Sequence, residues 1–254
     1  MIHIKSQKEV EIMRKGGKIL ADVLWEVLEA AKPGVSELEL DTLAEKLIRE
    51  KGGEPGFMKV PGYNYTICVS TNDTVVHGIP TDYRLQKGDI LGIDCGVYLD
   101  GFHTDMSHSI IVGGNEGADE KAVNFLDTGE KALMLAIQQA KIGNHIWDIS
   151  KTIQTLVEGA GYSVVRELIG HGVGKDLHED PEIPGYVSHK REKTPILKEG
   201  MVIAIEIIYN MGKKEIRYAG GEDEWTIKTA DGSLSGLFER TVAITKNGPE
   251  ILTQ

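Results

Sequence analysis

Basic residues are in short supply: 28 Lys and Arg stand against 39 Asp and Glu, a formal charge of −11 over 254 residues. Such a chain lacks the clustered cations that displace counterions from a phosphate backbone, which excludes general nucleic-acid binding. Local basic spots such as Lys190-Arg191 and Lys213-Lys214 read as solvated loops. Cysteine is almost absent. Cys68 and Cys95 both lie in apolar, strand-like segments without Cys-x-x-Cys spacing, so they read as reduced thiols of a cytoplasmic protein and not as nucleophiles. No apolar run is long enough to span a bilayer, and MIHIKSQKEVEIMRKGG is charged from the start with no signal core, so no membrane partner is expected. P-loop and dinucleotide fingerprints are missing as well. Aromatics make up only 6% of the chain, but its length suffices for one sizeable core or two fused halves.

Against this background, four carboxylates and one imidazole sit in apolar, strand-like surroundings. They are Asp94 in ILGIDCGV, Asp105 in GFHTDMS, His171 in LIGHGVG, Glu206 in VIAIEII and Glu239 in GLFERTVAI. A buried, unpaired carboxylate costs on the order of several kcal/mol unless a partner or a metal compensates it. Four acids with one imidazole suit a pair of divalent cations better than arginines. Asp94 and Asp105 flank Asp100-Gly101, a dipeptide favoured in two-residue hairpin turns. In such a hairpin the two acids fall on one face of the sheet, a repulsive arrangement that a clamped cation inverts.

The chain carries a faint internal repeat. Ser6-x-x-Glu9 and Ser36-x-x-Glu39 are capping boxes that predict helices over 7–31 and 37–51, with Gly52 as a stop. Shifted by 109 positions the features return: Ala31-Lys32-x-Gly34 matches Ala140-Lys141-x-Gly143, Leu47-Ile48 matches Leu156-Val157, and Gly52 matches Gly161. Each half reads as two helices followed by strands, at 66–70, 89–97 and 103–112 in the first and at 163–166, 201–209, 225–229 and 237–244 in the second. The expectation is a single domain over 1–254 with halves of about 1–115 and 116–254. A duplication places Asp94 and Asp105 in one half and His171, Glu206 and Glu239 in the other, with the site at their seam.

The ordered series VVHGIP (75–80), GDILGIDCGVYLDGFHTD (88–105), GHGVGKDLHEDP (170–181), AIEI (204–207) and EWTIKTADGSLSGLFERTVAI (224–244) resembles a type I methionine aminopeptidase nearly end to end. That resemblance implies the α/β pita-bread fold, a pseudo-two-fold antiparallel sheet backed by helices. It also implies removal of N-terminal methionine from nascent proteins and peptides with a small second residue. Asp105 and Glu239 would bridge two metals, Asp94 would complete one coordination sphere, and His171 with Glu206 the other. An oxygen-rich donor set favours Mn²⁺, Fe²⁺ or Co²⁺, with Zn²⁺ also compatible. Glu206 would carry a proton between water and leaving amine. His77 and His178 would stand near the scissile bond, His178 donating to the oxyanion. Phe57, Tyr63, Cys68, His77, Leu177, His178 and Trp225 would contact substrate, the apolar ones walling the methionine side chain. Phe57 stands where Cys is frequent and Leu177 where Phe is frequent, which leaves pocket shape open and not reaction type.

A proline-type or broader aminopeptidase of the same fold, or a silent peptide-binding relative, is the alternative. Only 34 residues separate His171 from Glu206, too few for the type II helical insertion. No cysteine-rich extension or separate N-terminal domain is expected, and all five ligand positions are filled. A monomer in transient contact with the ribosome completes the implied partners. His103 shares strand parity with Asp105 and is expected in a supporting role. His3, His108, His145 and His189 are expected at the surface or as caps. Gly172 and Gly174 are expected to permit close backbone approach beside His171.

Overall fold

The computed structural model describes residues 1–221 and 223–254. Both capping boxes form. Ser6 Oγ accepts from Glu9 N at 3.4 Å while Ser6 N donates to Glu9 Oε2 at 2.8 Å, opening helix α1 (Gln7–Ala30). Ser36 and Glu39 repeat the exchange at 3.2 and 2.7 Å to open α2 (Glu37–Glu50), which stops before Gly52 at φ +85°. The second helix pair is α3 (Glu120–Ile137), begun by Asp119, and α4 (Ile146–Gly159). His145 caps α4 as expected, its N–H donating to Asp148 Oδ2 at 2.8 Å. Arg191 is not merely solvated: its guanidinium donates to both oxygens of that same Asp148, at 2.8 to 3.1 Å.

The strands in chain order are β1 (Glu54–Pro55), β2 (Ile67–Thr71), β3 (Thr74–Val76), β4 (Ile90–Leu99), β5 (Phe102–Ile111), β6 (Ser163–Val164) and β7 (Gly170–Gly172). They continue with β8 (Glu179–Ile183), β9 (Val202–Asn210), β10 (Ile216–Gly220), β11 (Asp223–Thr229), β12 (Ser235–Thr245) and β13 (Gly248–Ile251). One antiparallel sheet gathers β1, β2 and β5 around β4, and another runs β13-β12-β9-β7-β8 with β6 on β9. A small third sheet, β10-β11-β3, links residues 74–76 to strands more than a hundred residues later in the chain.

Each large sheet buries one face under its own helices. Leu20, Leu24, Val27 and Leu28 recur at helical spacing on α1 and pack with Leu40, Ala44 and Ile48 of α2 against Ile67, Leu91, Ile93 and Met106. Phe125, Leu133, Ala136, Ile149 and Ile153 of α3 and α4 cover Ile203, Ile205, Ile207 and Phe238 in the same way. The two large sheets adjoin along the edges of β5 and β12. No helix among the described residues is long and apolar enough to cross a membrane.

One expectation fails in this layer. His108 is not at the surface; it is buried against the rings of Trp25 at 4.7 Å and Phe238 at 5.0 Å. The cause is strand parity, which turns residue 108 with Met106 and Ile110 toward α1. His3 and His189 are exposed as expected.

Candidate metal centre

The β4–β5 hairpin turns at Asp100 and Gly101, with φ of +47° and +91°, the doubly left-handed geometry of a two-residue turn. Its register pairs Gly96 with Asp105 and Asp94 with Ser107, so the two acids are diagonal neighbours on one face. In the other sheet Glu206 lies directly opposite Glu239, and His171 pairs with Ala204, two positions from Glu206. Period-two alternation then points all five side chains into one cavity of about 350 Å³.

His171 Nε2 lies 3.9 Å from Asp105 Oδ2 and 4.0 Å from Glu239 Oε1. One donor atom from each of these three residues falls within 4.8 Å of the others. Asp105, His171 and Glu239 are buried, while Asp94 and Glu206 are half-buried and face the cavity. Asp94 Oδ1 and Glu239 Oε1 are buried with no hydrogen-bond partner. Charge crowding follows: burial pushes Asp105 up to about 7, and burial with the Asp105 charge pushes Glu206 up to about 8. Asp94 and Glu239 shift upward too, through burial first and the neighbouring carboxylates second.

His171 Nδ1 lies 2.9 Å from the Gly172 carbonyl. Donation there leaves the Nε2 lone pair aimed into the acids, the tautomer a metal ligand needs. Burial, helped by His178, lowers its pKa to about 4, so the ring is neutral at neutral pH. Two orphaned carboxylate oxygens beside a neutral imidazole fit a cluster of divalent cations; the donor set is hard and oxygen-rich.

The other seven residues named from the sequence line the same cavity. Phe57, Tyr63, Cys68 and Leu177 form one buried apolar cluster, with Trp225 packed against it. Tyr63 is fixed by its hydroxyl, which donates to the Ile67 carbonyl at 2.8 Å, and stacks edge-on to Trp225 with centroids 5.1 Å apart. Phe57 lies over Gly96, the residue opposite Asp105; a Cβ there would stand 2.8 Å from the ring. His77 adopts φ +55°, a left-handed conformation uncommon outside glycine, and burial lowers its pKa to about 4. His178 is exposed at the mouth, its ring 4.4 Å from that of His171. His103 stays outside the cavity and packs on Tyr98 at 4.7 Å, a supporting position.

The cavity also takes in Val60, Val76, Glu167, Leu168, Ile169 and Ile208, which sequence reasoning did not single out. Ile208 was within reach, since it shares parity with Glu206 on β9. Larger hollows of about 600 and 580 Å³ lie between α1 and α3 and beside α4. Neither holds the compact donor group found among the described residues.

Comparison with known proteins agrees with this geometry. The model of metallopeptidase family M24 matches residues 11–246. Methionine aminopeptidase 1 of Bacillus subtilis is 44% identical over 254 residues, with both chains covered in full. A methionine aminopeptidase of Clostridium perfringens is 43% identical over 253 residues, covering 100% of this chain and 99% of the relative. The crystal structure of the Thermotoga maritima methionine aminopeptidase superposes with a TM-score of 0.95 at 38% identity over the whole of both chains, so the fold is the pita-bread arrangement. A metal-suited cluster on that fold, in a chain so similar to these relatives, places the protein in metallopeptidase family M24, among the methionine aminopeptidases.

Proposed function

We propose that this chain is a metal-dependent exopeptidase that removes N-terminal methionine from nascent proteins and peptides whose second residue is small. The observation that carries the reading is the shared cavity: two orphaned buried carboxylate oxygens stand beside an apolar cluster of Phe57, Tyr63, Cys68 and Leu177. Asp94, Asp105, His171, Glu206 and Glu239 would hold two divalent ions, Mn²⁺, Fe²⁺ or Co²⁺ before Zn²⁺ on donor hardness. Such ions, when bound, supply an acidified water and Lewis-acid polarisation of the scissile carbonyl.

The chain's own residues do the rest. Aromatic faces and the Cys68 sulfur give the methionine thioether a soft, apolar wall and fix the substrate's orientation. Glu206 opens toward the cavity and carries a proton from the attacking water to the departing amine. Partial desolvation at the mouth lowers the His178 pKa and so favours the neutral ring, which donates an N–H to the oxyanion without bringing a repelling charge to the metals. His77, held in a strained backbone conformation in the cavity lining, limits the space beside the scissile bond.

We place this activity in one domain whose halves span about 1–115 and 116–254; each contributes a helix pair and an antiparallel sheet. Two buried free cysteines support a reducing, cytoplasmic setting. A monomer in transient contact with the ribosome is part of the same proposal. The test is metal content of the purified chain measured alongside methionine release from Met-Ala-Ser and Met-Leu-Ser. Release from the first peptide far faster than the second is expected. Equal rates reject the small-residue reading, and full activity without metal rejects the mechanism.

A further inference from the structure

The seam between the two large sheets is closed by side chains. Strands β5 and β12 run alongside each other, yet among the described residues no backbone hydrogen bond joins them. Hydroxyl groups fill the gap instead. Ser109 Oγ accepts from Leu237 N at 3.0 Å and donates to Leu237 O at 2.8 Å. Thr241 Oγ1 accepts from Asp105 N at 2.9 Å and donates to Asp105 O at 2.8 Å. Ser109 opposite Leu237 and Asp105 opposite Thr241 define one antiparallel register, in which Ser107 faces Glu239 on the rung between.

That middle rung is closed by Arg240. Its Nη1 donates to the Ser107 carbonyl at 3.0 Å and to the Glu239 carbonyl at 2.6 Å. The side chain leaves β12 on the face opposite Glu239 and is 8% exposed, with the Trp25 ring centroid 5.6 Å from Cζ. Desolvating a guanidinium is costly, so its retention here calls for a return. Two returns are on hand: it satisfies a carbonyl on each side of the seam, and it sets a positive charge behind four crowded acids, one of which it stabilises in the ionised form.

Asp105 and Glu239 hang from neighbouring rungs on opposite sides of this seam, and both carboxylates approach His171 Nε2. Their separation therefore depends on the width that Thr241 and Arg240 impose. We propose that Thr241 and Arg240 are positioning residues that set the distance between Asp105 and Glu239 across the seam, and through it the affinity of the site for divalent metal. The inference rests on the metal-centre reading above and adds to it two residues that touch neither substrate nor metal.

Four variants test it: Thr241→Val, which keeps shape and removes the hydroxyl; Thr241→Ser, which restores it; Arg240→Met and Arg240→Lys. Mn²⁺ affinity is read by calorimetric titration of each full chain, with near-ultraviolet circular dichroism checking the fold. Thr241→Val and Arg240→Met are expected to bind Mn²⁺ roughly 10–100-fold more weakly, the range for lost outer partners of metal ligands. Thr241→Ser is expected to return to near wild type and Arg240→Lys to recover part of the loss, whereas for Thr241→Val and Arg240→Met at saturating Mn²⁺ the KM for Met-Ala-Ser is expected to hold while kcat falls. Should Arg240→Met fail to fold, the nearly isosteric Thr241 pair decides alone. Wild-type Mn²⁺ affinity in Thr241→Val, or a Thr241→Ser variant as weak as Thr241→Val, overturns the proposal and leaves the metal reading intact. A wild-type chain that takes up no Mn²⁺ refutes the metal reading and this inference with it.

Discussion

Gly172→Ala adds a single methyl group beside the candidate metal centre. A Cβ at this position would stand 2.7 Å from the Asp180 carbonyl carbon and 3.0 Å from the Glu179 carbonyl oxygen, both backbone atoms of β8. Neither can swing aside as a side chain would. Relief requires β7 and β8 to part, and β7 is also tied to β9 through the Gly172–Ile203 and His171–Ala204 pairs. Overpacking of this kind costs about 1–3 kcal/mol. At roughly 2–4 °C per kcal/mol for a chain of this size, the melting temperature should drop by about 2 to 12 °C. The same displacement moves His171, whose Nδ1 is held by the Gly172 carbonyl at 2.9 Å, so Mn²⁺ affinity should fall with stability. Thermal melting and Mn²⁺ titration of the variant, with Gly16→Ala as control, provide the assay. At Gly16 the nearest atom to an added Cβ is Leu99 Cβ at 3.5 Å, an ordinary contact. A Gly172→Ala protein that melts and binds metal like the parent would refute the packing argument.

Adjacent glycines of α1 should respond with opposite signs. Gly16→Ala gains helix propensity, about 0.5–1 kcal/mol, whereas at Gly17 a Cβ meets the Leu252 backbone, 2.8 Å from its carbonyl carbon, and should destabilise; urea unfolding of both variants reads the sign. His178→Ala should keep its metals and lose roughly 10²–10³ in kcat, the usual cost of an oxyanion donor; loss of metal from that variant would make His178 a ligand. Metal-free protein should lose stability as pH rises from 6.5 toward 8.5. Asp105 and Glu206 are raised to about 7 and 8 in the fold, so their contribution is full below the unfolded values near 4 and vanishes as they ionise. The buried histidines, lowered from 6.5 in the fold, act with the opposite sign near the lower end of this window and fade above it, so the loss is clearest toward its upper end. Melting in EDTA and in Mn²⁺ should therefore diverge as pH increases, and parallel curves would contradict the charge-crowding account.

What could be read from the sequence was whatever local chemistry determines. Ser6-x-x-Glu9 and Ser36-x-x-Glu39 carry their own capping partners, and Asp100-Gly101 sets the register that puts Asp94 and Asp105 on one face. The four acids and one imidazole stood out because charge in apolar strands is conspicuous wherever it occurs. Strands β3 and β7 escaped notice: three residues, two of them glycine in β7, are too few to show alternation, and their partners define them. β10 exposes four of its five residues, so no buried face marks it. His108 looked like any polar strand residue, and only the packing of α1 above β5 reveals its burial. The hydroxyls of Ser109 and Thr241 are similarly anonymous in a sequence, because their role depends on two strands more than a hundred residues apart.

The central claim is that the five strand-borne residues hold the metals on which methionine release depends. Bound Mn²⁺ and methionine release from Met-Ala-Ser, measured together on wild type and on Glu239→Ala, test it most directly. Removing this buried carboxylate leaves three acids around an incompletely neutralised centre, so metal content and turnover should fall in step. Full methionine release by a Glu239→Ala protein that holds no metal would contradict the account.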